Sequence, residues 1–113
     1  MDYGKLSDAE INWKVAFHIG LRTVEKAESG DFNPCNNPAD AWPIINDNQI
    51  ALIPSHMSFG WIALSDLTLS GNASYVDERL DNCIKHEDWN GLRAAMIVFL
   101  MMQDSANVQD NPA

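Results

Sequence analysis

Between Asp8 and Ile19 the apolar residues recur with the spacing of a helix. Ile11, Val15 and His18 fall on one stripe, with Ala16, Phe17 and Ile19 beside it. The preceding Ser7-Asp8-Ala9-Glu10 is a capping-box pattern, in which Ser7 accepts from the Glu10 amide and Glu10 reaches back to Ser7. Gly20 is a natural stop. The spacing therefore predicts a helix over 8–19. Leu21 to Ala27, LRTVEKA, is ambiguous and fits a short strand. ESGDFNP reads as a loop from its Gly, Asp and Pro content.

The segment CNNPADAWPII, Cys35 to Ile45, has stronger local signals. Asn37 suits an N-cap, Pro38 the first helical position, and Asp40 the third. One helical turn from Asn37 to Ala41 follows. Pro43 disfavours the α region at Trp42, so the turn is expected to stop there. Ile44 and Ile45 would then leave extended, into the sheet. This places Trp42 on a stiff elbow with Asn36, Asn37 and Asp40 nearby.

Next, NDNQ reads as a turn, and Ile50–Ile53 with Gly60–Ser65 reads as a hairpin with a loop longer than two residues. DLTLSGNAS is a loop. Val76, Leu80, Cys83 and Ile84 sit at helical spacing, with a strand around Tyr75 and Val76 as the alternative. Asp88 or Asn90 can cap a last helix, GLRAAMIVFLMMQ, which is apolar on nearly every face between Leu92 and Met102. Such a helix is buried on several sides. The expected fold is α+β: a small antiparallel sheet packed against an N-terminal helix and a buried C-terminal helix. Residues 1–104 form the expected domain, and 105–113 a polar tail.

Composition narrows the function classes. The chain has 113 residues, 46 % of them hydrophobic, which suits one small globular domain. Its net charge is -9, from sixteen acidic and seven basic side chains. That balance repels nucleic-acid phosphates and anionic membranes, and suits a basic partner. The N-terminus has no apolar leader, and the longest apolar run, Ala94 to Met102, is too short for a membrane span. A cytoplasmic location without nucleic-acid or membrane contact is expected, with the two cysteines, Cys35 and Cys83, reduced.

Catalytic chemistry finds little support. Cys83 and His86 have a Cys-x-x-His spacing, but Cys35 and His56 are single, whereas zinc sites present two close pairs. There is no nucleophile elbow, Walker motif or dinucleotide fingerprint. No metal, no cofactor and no catalytic residue are expected, and the chain reads as non-enzymatic. Arg93 stands out, because a cation in the first turn opposes the helix dipole. The simpler reading is that it reaches solvent or pairs with a carboxylate; the other is a ligand contact. Four tryptophans are many for this length. Trp13 is expected in the core, whereas Trp42 and Trp61 are candidates for a pocket wall. The candidate ligand site is thus Asn36, Asn37, Asp40, Trp42, Trp61 and Arg93.

CNNPADAWPII, GWIALSD and LRAAMIVFLMMQ resemble the NinX family of small proteins of lambdoid and related phages, as does the opening MDYGKLSDAEINWKVA. The stretch from Leu67 to Asn90 departs from that pattern. The resemblance implies a phage accessory protein in the cytosol of a bacterial host and assigns no catalytic residue. It singles out Trp42, Pro43, Ile44 and Ile45, with Trp61 and Ala63. The expected action is binding: sequestration of a small nucleotide-type host defence signal. The alternative is an acidic inhibitor of a host nuclease or defence protein. A homo-oligomer is expected, given the apolar last helix.

Overall fold

The structure, a computed structural model, describes residues 2–55, 60–65 and 84–110, with side chains as far as 104. Among the described residues, four α-helices and a three-stranded antiparallel sheet form an α+β fold. Helix α1 spans Asp8–Ile19 and carries the full capping box, with Ser7 accepting from the Glu10 amide and Glu10 from the Ser7 amide. It buries Ile11, Asn12, Val15 and Ala16. Phe17, Ile19 and His18 face outward, and Trp13 is 40 % exposed rather than in the core. Ile11 and Val15 of the expected stripe, with Ala16 beside it, are buried, while the C-terminal part of that stripe is not, and a polar residue, Asn12, belongs to the inward face instead.

Leu21–Ser29 is a helix, α2, and not a strand. Gly20 joins it to α1 as a one-residue hinge with φ 154°, a conformation that L side chains rarely adopt. Val24 and Ala27 pack on the core from one face of α2. Its opposite face is polar, so a helical period was present but short. The chain leaves α2 through a left-handed turn at Gly30.

Helix α3 spans Pro38–Asp47 and runs through Pro43, so the expected stop at Trp42 and the extended exit of Ile44 and Ile45 do not occur. Asn37 does cap it, accepting from the Ala39 amide at 3.0 Å, and Pro38 takes the first helical position. Pro43 removes the N–H that would bond the Ala39 carbonyl. Both residues lie on the exposed face, where water can serve that carbonyl. In return Ala41, Ile44 and Ile45 are buried together, and α3 packs on the last helix. Burying each isoleucine contributes about 2 kcal/mol.

Strand β1, Ala51–Pro54, pairs antiparallel with β2, Trp61–Ser65, in the expected hairpin. Strand β3, Ile84–Asp88, pairs with the other edge of β2. The expected helix over this region therefore does not extend through Ile84; its remainder, like Cys83 and His56, lies outside the described residues. Ile84, His86 and Asp88 are half-buried while Lys85 and Glu87 are exposed, a period of two carrying a single aliphatic residue. Backbone pairing with β2, not apolar content, makes this segment a strand.

Helix α4, Gly91–Asp110, is the centre of the fold. Every residue from Ala94 to Leu100 is buried. It packs on β2 and β3 along one side and on α1 and α3 along others. Ala63, Ala94 and Ala95 are fully covered, which lets strand and helix approach closely. No helix among the described residues is long and apolar enough to cross a membrane.

Candidate functional site

The polar residues of CNNPADAWPII form an internal joint. Asn36 donates to Asp8 Oδ2 at 3.1 Å and to Asn33 Oδ1 at 3.2 Å. Asp40 Oδ2 accepts from the Asn33 amide at 2.9 Å and from Asn37 Nδ2 at 3.3 Å. Asn90 ties the joint to α4. Its Oδ1 caps the helix, accepting from the Leu92 and Arg93 amides, and its Nδ2 donates to the Cys35 carbonyl at 2.6 Å and to Asn36 Oδ1 at 3.1 Å. Asn12, which the sequence reading overlooked, closes the other side: it donates to Asn33 Oδ1 at 2.8 Å and accepts from the Cys35 amide at 3.1 Å.

Arg93 belongs to the same joint. Its Nε donates to Asp88 at 3.0 Å and its Nη1 to Asp8 at 2.7 Å. Nη2 donates to the carbonyls of Gly4 and Leu6, at 3.2 and 2.7 Å. The guanidinium thus clamps the N-terminal segment, α1 and β3 onto the start of α4. Neighbouring Cys35 is buried, and that burial, with Asp8 close by, pushes its thiol up to about 12. A thiol held there is not a nucleophile near neutral pH.

The tryptophans are dispersed. Trp42 lies on the outer face of α3 and is 61 % exposed. Trp61, at the start of β2, lays its ring against Gly91; a β-carbon there would meet the ring at 3.1 Å. Neither lines the clefts that the described residues form around α1 and α3. Trp42→Ala should change the unfolding free energy by no more than about 0.5 kcal/mol, the usual effect of a surface substitution. A urea melt that loses ~2 kcal/mol would instead make this ring structural.

Another arrangement does converge. Trp13 and Phe17, one helical turn apart on α1, stack with ring centroids 5.7 Å apart and planes at 21°. Phe17 meets His18 edge-on at 5.9 Å, and His18 meets Phe99 of α4 edge-on at 6.0 Å. Beside them a cleft of about 350 Å³ opens between α1 and α4. Its wall is Trp13, Phe17 and His18; Leu100 contributes apolar surface, and Lys14, Tyr3 and Asp104 supply polar groups. Trp13 is steadied by its indole N–H, which donates to Glu28 of α2 at 3.4 Å. The Tyr3 hydroxyl donates to Asp104 Oδ2, joining the N-terminal segment to α4.

The volume falls within the range of small-molecule sites, and aromatic walls with a few polar groups are their usual lining. The sequence held one signal for it, the spacing of four that puts Trp13 and Phe17 on one helix face; that the face is exposed, against the expectation of Trp13 in the core, is seen only in the structure. Among the described residues no cluster of His, Cys, Asp and Glu could hold a metal ion.

A family model described as "Bacteriophage P22, NinX" matches residues 2–103. No curated protein and no solved structure matches the chain.

Proposed function

The chain belongs to the bacteriophage P22 NinX family, and on that premise we propose a phage accessory protein that acts by binding, with the aromatic cleft between α1 and α4 as its ligand site. The observation that carries this is the stacked Trp13–Phe17 pair, left open to solvent at the mouth of a cleft that also holds Lys14, His18 and Asp104. Exposed aromatic faces of this kind cost solubility and suit flat ligands, because each stacked ring contributes about 1–3 kcal/mol. A nucleotide-type host signal fits: its base stacks on the aromatic wall, and Lys14 meets its anionic part. With a net charge of -9, only a local cation makes an anionic ligand acceptable. Sequestering such a signal needs affinity and no chemistry.

The reading as an acidic inhibitor of a host nuclease or defence protein gains less support. Asp8, Asp40, Asp88 and Asp104 all accept internal hydrogen bonds, so a share of the acidic charge is engaged within the fold.

Calorimetry against a panel of mono-, di- and cyclic nucleotides tests the proposal. At least one should release heat, and Trp13→Ala should weaken it about 10- to 100-fold, the equivalent of one stacked ring. Trp42→Ala should leave it unchanged. Equal affinity of the Trp13→Ala protein, or no heat from any nucleotide, would rule the cleft out.

A further inference from the structure

Resting on that cleft as the ligand site, we infer that Asp104 makes it selective for planar heterocycles with adjacent N–H donors on one edge, a guanine-type base above an adenine-type one. Asp104 lines the cleft with the aromatic wall, and its carboxylate is positioned there by an internal partner. Tyr3, only 8 % exposed, donates its hydroxyl to Oδ2. The opposite oxygen, Oδ1, has no donor among the described residues, and Oδ2 has a second lone pair. Burial, and then the bond to Asp104, pushes the Tyr3 phenol up to about 12, so it stays a donor throughout the neutral range. The carboxylate itself is accessible to solvent.

A positioned carboxylate in a ligand cleft is an acceptor for N–H groups and repels lone pairs. A guanine-type edge presents a ring N–H beside an amino N–H, a parallel pair that two carboxylate oxygens can accept together. A hypoxanthine-type edge retains the ring N–H and lacks the amino group. An adenine-type edge presents one amino donor beside a bare ring nitrogen, which faces the carboxylate lone pair to lone pair. A stacked base therefore meets a graded preference at Asp104. Lys14, on the same cleft, is the cation for a phosphate, which all three classes of nucleotide share.

Guanosine, inosine and adenosine monophosphates are the probes, titrated into the intact protein by calorimetry. Expected affinities fall in that order, with guanosine monophosphate about tenfold or more above adenosine monophosphate, since hydrogen bonds to a charged acceptor are the strong ones. Asp104→Asn should erase the order, because an amide both donates and accepts. Tyr3→Phe keeps the carboxylate but removes its anchor, and should narrow the order without reversing it. Equal affinity of the three probes for the unaltered protein overturns the selectivity and leaves the cleft standing. So does an order that Asp104→Asn leaves intact in a folded protein. If none of the three binds, the inference falls together with the ligand site beneath it.

Discussion

Arg93→Ala should cost the domain about 2–3 kcal/mol and lower its melting temperature by roughly 10 °C or more. The Arg93 side chain is 12 % exposed, and it holds two carboxylates and two backbone carbonyls at once. Removing it leaves Asp88, which is 19 % exposed, without the guanidinium and with the Asn90 amide and the His86 ring, 3.9 Å away, as its partners among the described residues. Leaving a buried charge uncompensated typically costs about 3–5 kcal/mol. The loss falls at or below the bottom of that range because Asp8 is 44 % exposed and water can take over its half of the pair. Asp88→Ala should therefore destabilise more than Asp8→Ala. Arg93→Lys should recover less than half of the loss, since one ammonium cannot reach four acceptors that a guanidinium fork reaches. Urea unfolding of these variants checks the order. An Arg93→Ala protein within ~0.5 kcal/mol of the parent would mean that the joint is decorative.

This joint explains why the conspicuous polar residues of the sequence were hard to assign. Asn37 read correctly as the helix cap, because that role depends on residues within three positions. The bonds of Asn36 reach Asp8 and Asn90, and no local rule anticipates a partner 28 or 54 residues away. This polar cluster joins α1, α3 and α4, and its Asp40 also lines a cleft between α2 and α3. Arg93 is the same case: a cation in the first turn of an apolar helix is odd locally, and its partners lie 85 and 5 residues away.

Elements with redundant local signals were legible. Helix α1 had a capping box, a helical stripe and a glycine stop. The hairpin had two aliphatic runs around a turn. Helix α4 was apolar on every side and proved to be the core. Strand β3 carried too little apolar content to show its period, and α2 was short and capped only by glycines. For the cleft, half was legible. The Trp13–Phe17 spacing is a local fact, but the opposing wall depends on how α1 lies on α4. Tyr3 and Asp104 meet across 101 positions of chain.

The clearest failure of a local rule gives the second large prediction. Pro43→Ala should raise stability by about 2 kcal/mol. A proline inside a helix costs about 3 kcal/mol, from the lost bond to the Ala39 carbonyl and the clash of its ring with that turn. Alanine restores the bond. It also gives the unfolded chain more freedom, which returns about 0.4–1 kcal/mol of the gain. The helix tolerates the proline because Ala41, Ile44 and Ile45 are buried against the core and outweigh a local preference at Trp42. On this account the proline is a burden carried by tertiary packing, and the urea midpoint of Pro43→Ala should move up with an unchanged slope. A fall of ~1 kcal/mol or more would reverse the argument. Pro43 itself would then be what seats Ile44 and Ile45, and the pre-proline restriction would be part of the design of α3 rather than an obstacle to it.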